Sequence, residues 1–267
     1  MKQLLDKIHF ADSAEFLKQI DSETIDLVVT SPPYDNLREY NNSTEWNFDK
    51  FKAIALELNR ILAWGGVICW NIADQVINGS ESLSSFKQAI HFVDELKLNL
   101  HDTMIYLKNS PNYPETNRYG QVFEYMFIFS KGTPKTFNPI KDRKNKYAGT
   151  NIHGTNRNKD GTTSKKGSNT LISDYGPRFN VWQINSNYVA DEARFHPASF
   201  PIDIPAGMIE TWTNEGDIVL DPFSGSGTTA IAAHEFNRKF ITIENDEAYY
   251  QASIERLETH KNQLKLF

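Results

Sequence analysis

Residues 218–229, with the sequence IVLDPFSGSGTT, limit the possible folds more than any other part of the chain. An apolar run typical of a strand leads into a glycine-rich turn, and residues 228–237 then have the pattern of a helix. Glu244 ends the next apolar run, 23 residues after Asp221. Nucleotide-binding α/β folds place a carboxylate on ribose hydroxyls at about this distance, and the helix N-terminus offers N–H groups to the ligand. The motif therefore predicts a nucleotide-type site on an α/β sheet.

The spacing of the glycines separates three classes of nucleotide ligand. A P-loop has a lysine next to its last glycine, whereas Thr228 follows Gly227 here. A dinucleotide site has the pattern G-x-G-x-x-G, and no third glycine follows Gly225 and Gly227 at that spacing. The class that remains is a nucleoside with an amino-acid tail, such as S-adenosylmethionine, whose ammonium group Asp221 is expected to meet. A turn that only caps a helix is the structural alternative, and the position of Glu244 argues against it.

Short apolar runs alternate with amphipathic stretches along most of the chain, which is typical of an α/β sheet. The predicted strands are residues 26–30, 67–71, 103–107, 124–129, 217–220 and 240–244. The predicted helices are residues 48–62, 84–96, 202–212, 228–237 and 247–260. Gly65 and Gly66 are expected to end the first of these helices. Residues 133–180 lack the periodicity, which predicts a flexible loop region or a small domain that orders on a partner.

A second candidate motif, TSPPY at residues 30–34, follows the strand predicted at 26–30. Its two prolines end the strand and keep the segment extended. Ser31 offers a hydroxyl that donates or accepts, and Tyr34 offers an aromatic face. Ligands of open α/β sheets bind beyond the carboxyl ends of the strands, so both motifs are expected to face one crevice. The pair suits a planar substrate with an amino group, and a proline-terminated strand with a core tyrosine is the structural alternative.

Taken together, TSPPY at 30–34 and LDPFSGSGTT at 220–229 resemble the motifs of amino-group DNA methyltransferases from bacterial restriction-modification systems. The first motif precedes the second with a basic segment between them, which resembles the circularly permuted β group of that family. HPASFP at 196–201 is similar to the family element beside the methionine moiety of the cofactor. Asp12 resembles the family's acidic contact to the cofactor adenine. The resemblance covers nearly the whole chain except the basic segment.

The resemblance implies a Rossmann-like S-adenosylmethionine-dependent methyltransferase sheet, circularly permuted, with an inserted target-recognition region. Residues 1–132 would form the catalytic half, 133–190 the target-recognition region and 191–267 the cofactor-binding half. The implied catalytic residues are Ser31, Pro32, Pro33 and Tyr34. The implied residues of the S-adenosylmethionine site are Asp12, His196, Pro197, Ala198, Phe200, Asp221, Phe223, Ser224, Gly225, Ser226, Gly227, Thr228 and Glu244. No metal site is predicted.

The implied reaction transfers a methyl group to the exocyclic amino nitrogen of a DNA base that is flipped out of the helix. Ser31 and the Pro32 carbonyl would accept hydrogen bonds from that amino group, and Tyr34 would stack on the base. Family members with serine at this position most often act on cytosine N4, which is the favoured target; adenine N6, with Asp35 as the carboxylate, is the alternative. Cytosine C5 methylation is rejected, because it needs a thiol nucleophile and Cys69 lies within a predicted strand.

The net charge of −6 hides one basic segment. Residues 135–178 contain ten Lys or Arg and three Asp, hence +7, which leaves −13 on the remainder of the chain. Such a basic segment is typical of a surface that binds the phosphates of double-stranded DNA. The expected DNA-binding residues are Lys141, Arg143, Lys144, Lys146, Arg157, Lys165 and Lys166.

Other functions remain open at this point. Related proline-tyrosine motifs also serve methyltransferases that act on RNA or on protein amides, and the basic segment disfavours a protein substrate. An NAD-linked oxidoreductase leaves TSPPY unexplained, and a DNA-binding module without activity does not need the glycine-rich turn. A single cysteine, no signal peptide and no membrane span predict a cytoplasmic protein. A homodimer and a separate cognate restriction endonuclease are the further partners considered.

Overall fold

The largest element of the fold is a mixed sheet of eight strands. The computed structural model describes residues 1–33, 46–109, 117–152, 154–165, 171–185 and 201–264. The strands are β1 (Lys7–Phe10), β2 (Ile25–Thr30), β3 (Leu62–Ile72), β4 (Val76–Ile77), β5 (Ser80–Glu81), β6 (Asn99–Lys108), β7 (Phe123–Ser130), β8 (Arg143–Lys144), β9 (Thr155–Arg157), β10 (Thr163–Lys165), β11 (Tyr175–Gly176), β12 (Val181–Ile184), β13 (Ile218–Asp221) and β14 (Lys239–Glu244). Eight of these described strands pair in the order β1-β14-β13-β2-β3-β7-β6-β12. Within the sheet β7 is antiparallel to both of its neighbours, and the other pairs are parallel.

Helices cover both faces of this sheet. They are α1 (Ser13–Phe16), α2 (Phe48–Ile61), α3 (Ser84–Asp94), α4 (Asp203–Trp212), α5 (Thr228–Glu235) and α6 (Glu247–Leu264). On one face, the ring of Trp70 lies 5.9 Å from that of Phe51 on α2 and 5.3 Å from that of Phe92 on α3. Helices α4 and α5 contact each other and pack on the opposite face, α4 against β2 and β3 and α5 against β13 and β14. None of the described helices is both long and apolar enough to span a bilayer. The predicted α/β class is confirmed.

The strand order reverses between β13 and β2, and this reversal places the candidate site. The chain leaves β13 through α5 to reach β14 on one side, and it leaves β2 through α2 to reach β3 on the other. At such a switch point the two connections diverge and open a crevice at the carboxyl ends of the strands. Both sequence motifs begin at these strand ends.

The prediction that Gly65 and Gly66 end the first helix is wrong. Helix α2 ends at Ile61, and β3 begins at the next residue and runs through both glycines. Gly65 has φ +79°, and its N–H donates to the carbonyl of Lys131. The pairing of β2 with β3 skips several residues of β3 at this point, since Ile25 faces Leu62 and Leu27 faces Val67. The glycines therefore form an irregularity within a strand, where a positive φ is needed.

The N-terminus supplies an edge strand that the sequence analysis did not predict. Strand β1 is parallel to β14 and places Phe10 opposite Glu244. Four residues with little alternation, KIHF, give no strand signal by themselves. The consequence is that Asp12, just after β1, comes to the same sheet edge as Glu244. Circular permutation of the sheet stays a prediction.

Residues Pro139–Phe179 form a second compact unit, and the larger unit comprises Met1–Asn138 and Asn180–Phe267. Within the smaller unit, β8 pairs with β11 and β9 with β10, both antiparallel. The guanidinium of Arg143 lies 4.3 Å from the ring centre of Phe179, and Arg178 pairs with Asp142 at 2.6 Å. The predicted target-recognition region, 133–190, is wider than this unit, because β12 belongs to the main sheet. These short strands have no periodic hydrophobic pattern that could have predicted them.

Candidate active site

The two motifs start from adjacent strands of the sheet. Leu27 and Val28 of β2 pair with Val219 and Leu220 of β13. At the carboxyl ends of the same two strands, the hydroxyl of Thr30 donates to Oδ1 of Asp221 at 2.6 Å. This bond links the residue just before Ser31 to the first residue of the DPFSGSG turn. The expectation that both motifs lie at one crevice is consistent with this contact.

Asp221 is a buried carboxylate that protein donors surround. Its side chain has no exposed surface. Oδ1 also accepts from the N–H of Phe223 at 3.0 Å, and Oδ2 accepts from the hydroxyl of Thr229 at 2.6 Å. Burial raises the pKa of Asp221 above its ordinary value, although the three hydrogen bonds oppose this shift. In this geometry Asp221 joins the end of β2, the turn and the start of α5. Thr30 and Thr229 are site residues that the sequence analysis missed.

We expect Asp221→Ala to lower the free energy of unfolding by about 3 kcal/mol, because buried donors lose their acceptor. Asp221→Asn keeps an accepting oxygen and removes the buried charge, so it should stay within about 1 kcal/mol of wild type. A raised pKa means that the carboxyl stabilises the fold below its unfolded pKa, and that this contribution is lost as the pH rises through the folded pKa. The stability of the Asn variant relative to wild type should therefore increase with pH. Denaturant unfolding at several pH values measures this, and an Asn variant as unstable as the Ala variant would contradict it.

The glycine-rich turn is held in place by its backbone conformation and by helix α6. Gly225 and Gly227 have φ values of +50° and +75°. A Cβ on Gly227 would lie 3.1 Å from Cβ of Ser253, so this position also requires close packing. Arg256 of α6 donates to the Ser226 carbonyl at 2.8 Å and to the Thr228 hydroxyl at 3.1 Å. The turn is thus fixed before any ligand arrives.

Ser224 supplies a buried hydroxyl in this turn. The residue is 4% exposed, and its Oγ has no hydrogen-bond partner among the described residues. A buried hydroxyl without a partner costs free energy, and a ligand hydrogen bond would remove that cost. Phe223, the residue before it, is half-buried, and its ring lies 5.3 Å from that of Trp46. Trp46 is an aromatic residue of the site that the sequence analysis missed.

Glu244 supports the turn from the end of β14. Its Oε2 accepts from the N–H of Gly225 at 2.8 Å, and its Oε1 accepts from the N–H groups of Asn245 and Asp246. Burial raises the pKa of Glu244, and these three backbone bonds oppose the shift. Three of the roughly four lone pairs of the carboxylate are therefore used by the protein, which leaves room for one ligand hydroxyl.

Asp12 lies beside the same turn. It caps α1 by accepting from the N–H of Ala14 at 2.8 Å, and it pairs with Lys50 at 2.8 Å. Burial tends to raise the pKa of Asp12, but the hydrogen bond and charge of Lys50, together with the backbone N–H bonds of Ala14 and Glu15, lower it overall. The next residue, Ser13, donates to the carbonyl of Pro222. This contact ties the N-terminal segment to the DPFSGSG turn.

Some of the predicted site residues lie within the part of the chain that the structure describes, and others lie outside it. In the tetrapeptide, Pro32 is buried, while Ser31 and Pro33 are half-buried. Tyr34, Lys166, His196, Pro197, Ala198 and Phe200 lie outside the described residues, as does Asp35. Of the predicted DNA-binding residues in the smaller unit, Arg143 is half-buried, and the exposed ones are Lys141, Lys144, Lys146, Arg157 and Lys165.

Comparison with known proteins gives a consistent set of matches. A family model described as DNA methylase matches residues 25–255. The orphan methyltransferase M.BamHII of Bacillus amyloliquefaciens is 48% identical over 243 residues, which cover 89% of this chain and 90% of that protein. Among solved structures, the PvuII DNA methyltransferase (cytosine-N4-specific) has a TM-score of 0.67 at 21% identity and covers 96% of this chain and 91% of its own. The M1.HpyAVI–SAM complex has a TM-score of 0.62 at 24% identity, with 94% and 98% covered. These two structures share the fold described above.

Proposed function

The chain belongs to the N6/N4 DNA methylase family, whose members methylate exocyclic amino groups of DNA bases, and we propose that its target is cytosine N4. The methyl donor is S-adenosylmethionine. The observation that carries the proposal is Ser31, a hydroxyl residue at the end of β2, joined through Thr30 to the DPFSGSG turn.

The DPFSGSG turn fits the cofactor. Ser224 offers a buried hydroxyl without a partner among the described residues, and Glu244 has capacity for one more donor, which suits a ribose hydroxyl. Gly225 and Gly227 adopt positive φ values just before α5, whose first N–H groups are potential donors to a ligand. When bound, S-adenosylmethionine supplies an electrophilic methyl group on its sulfonium. The co-structure of M1.HpyAVI with SAM supports the same choice of cofactor.

Ser31 and Pro32 orient the amino nitrogen of the target base. The lone pair of such a nitrogen is delocalised into the base ring, which makes it a poor nucleophile. Hydrogen bonds from the amino group to Ser31 Oγ and to the Pro32 carbonyl draw the nitrogen toward a tetrahedral geometry. The nitrogen becomes cationic as the new bond forms, so its proton is acidic and needs no strong base. A serine is therefore sufficient at this position.

Cytosine N4 is favoured over the other methylation sites on two grounds. The first position of the tetrapeptide is serine, whereas aspartate there is more typical of adenine methyltransferases, and Asp35 is the carboxylate that an adenine site would use. Methylation at cytosine C5 would need a cysteine thiolate. Cys69 is fully buried in β3, and burial raises the pKa of its thiol to about 12.

The target base is identified by product analysis. The protein is incubated with isotopically labelled S-adenosylmethionine and DNA of mixed sequence, and the DNA is digested to nucleosides. We expect labelled N4-methylcytosine. Labelled N6-methyladenine would replace the cytosine assignment by the adenine one, and no labelled nucleoside would contradict the proposed activity.

The basic residues of the smaller unit are proposed to bind DNA phosphates. Lys141, Lys144 and Lys146 are exposed, so their charges are available to a polyanion. Arg143 differs from them because it stacks on Phe179 and donates to the carbonyl of Pro177 at 2.9 Å. A test of DNA binding should therefore leave Arg143 in place.

We expect the triple change of Lys141, Lys144 and Lys146 to Ala to weaken DNA binding and to flatten its salt dependence. Each lost phosphate contact reduces the slope of log K against log salt by about 0.9, so three contacts would reduce it by roughly 2.7. Fluorescence anisotropy over a range of salt concentrations measures the slope. The matched control is a triple Ala change of Lys2, Lys18 and Lys87, which removes the same charge from exposed positions of the larger unit. Equal slopes for both triple variants would contradict the assignment.

Double-stranded DNA is the partner that the family implies, and a cytoplasmic location is the compartment proposed for such an enzyme. A homodimer and a separate cognate endonuclease remain predictions. The name of the 48% identical relative, an orphan methyltransferase, argues for testing the enzyme without a restriction partner first.

A further inference from the structure

A buried polar network crosses three strands at the carboxyl edge of the sheet, outside the predicted site. Asn71 of β3 is 1% exposed, and its Nδ2 donates to Oε2 of Glu124 on β7 at 2.7 Å. The other carboxylate oxygen, Oε1, pairs with Nζ of Lys108 on β6 at 2.6 Å. Burying such polar groups costs free energy unless they are paired, and here Glu124 pairs with both Asn71 and Lys108.

The register of the sheet places this network next to Ser31. Thr30 of β2 pairs with Trp70 of β3, and the next residue on each strand is Ser31 and Asn71. Ser31 precedes a proline, which favours an extended backbone, so it continues the direction of β2. Successive side chains of a strand alternate between faces, and neighbouring strands lie about 4.8 Å apart. Ser31 and Asn71 therefore project to the same face from adjacent strands.

We propose that Asn71 is a positioning residue for Ser31, and that the Glu124–Lys108 pair fixes the orientation of its amide; this inference rests on the proposed function. Because the Glu124 carboxylate accepts from Nδ2 of Asn71, the amide is held in one orientation. A 180° flip would place the amide oxygen against the carboxylate, which is unfavourable. Lys108 in turn holds the carboxylate. The result is a fixed amide beside the serine that receives the amino group of the base.

Three substitutions test the chain of contacts. Asn71→Ala removes the amide and is expected to reduce the single-turnover rate of methyl transfer by about 10- to 100-fold, as small displacements of a reacting group do. Glu124→Gln is isosteric but removes the ion pair, and it should lower the single-turnover rate about tenfold. Lys108→Met acts one step further away, at a side chain that is 29% exposed, and should have a smaller effect. The KM values for DNA and for the cofactor should stay within about twofold, because the network acts on the reacting geometry and not on binding.

The matched control is Glu57→Gln. Glu57 forms a comparably buried ion pair with Arg60 within helix α2, with side chains 18% and 34% exposed against 12% and 29% for Glu124 and Lys108. This variant should methylate DNA at the wild-type rate. Thermal unfolding of every variant identifies losses that come from instability.

Wild-type rates in both Asn71→Ala and Glu124→Gln would overturn the inference. A loss that appears in KM, or that follows the melting temperature, would also overturn it, since a merely structural network behaves in that way. If the wild-type protein itself transfers no methyl group, the proposed function fails first. The two failures are therefore distinguishable in one set of assays.

Discussion

Replacement of Tyr34 by alanine is expected to reduce methyl transfer by about a hundredfold while the affinity for S-adenosylmethionine stays within about twofold. Flipping a base out of the duplex costs a few kcal/mol, and stacking on an aromatic ring returns roughly 1 to 3 kcal/mol. The upper end of that range corresponds to about a hundredfold in rate. Single-turnover kinetics at saturating cofactor give the rate, and calorimetry gives the affinity.

Tyr34→Phe is the control for this prediction, because it keeps the aromatic face and removes the hydroxyl. It should retain most of the wild-type activity. Wild-type activity in Tyr34→Ala would remove the stacking role. Equal losses in the Ala and Phe variants would assign the effect to the hydroxyl instead.

Glu244→Ala should weaken binding of S-adenosylmethionine by about a hundredfold. The substitution leaves the N–H of Gly225 without its acceptor and releases the turn that we propose as the cofactor site. A lost acceptor costs about 1 to 3 kcal/mol, and roughly 2.7 kcal/mol corresponds to a hundredfold change in Kd. Titration calorimetry measures the affinity, and thermal unfolding shows that the variant is folded at the temperature used.

Two further variants sharpen the Glu244 test. Glu244→Gln keeps one accepting oxygen and is expected to fall between wild type and the Ala variant. Glu247→Ala removes an exposed carboxylate three residues further on, in the first turn of α6, and should bind the cofactor normally. A folded Glu244→Ala variant with wild-type affinity would show that the turn does not depend on this carboxylate.

The fold class and the meeting of the two motifs could be predicted because their signals are local. An apolar run followed by DPFSGSG predicts a strand, a turn and a helix without reference to the rest of the chain. TSPPY behaves in the same way, since the prolines end β2 wherever that strand lies in the sheet. A rule that places ligands at the carboxyl ends of strands then brings the motifs together.

The contacts that hold the site together could not be predicted, because they depend on which strands are neighbours. The bond between Thr30 and Asp221 joins residues 191 positions apart, and the bond between Asn71 and Glu124 joins residues 53 positions apart. Neither pair has a sequence signature. Strand β1 was missed for a related reason: only its pairing with β14 makes four residues into a strand.

The irregular passage through Gly65 and Gly66 shows a limit of turn signals. Paired glycines usually mark the end of an element, and here they lie within β3. The positive φ of Gly65 and the hydrogen bond from its N–H to Lys131 explain why a glycine occupies this position. Both depend on the pairing of β7 with β3, which the sequence does not indicate.

We infer that one crevice, where β13 and β2 diverge, holds both the cofactor and the target base. A crystal structure of the protein with bound S-adenosylmethionine would place the cofactor relative to Ser31 and to these strand ends. We expect the ribose at Glu244, the amino-acid tail near the DPFSGSG turn and the sulfonium directed toward Ser31. A cofactor bound away from the ends of β13 and β2, or with its sulfonium turned away from Ser31, would mean that the two motifs do not form one site.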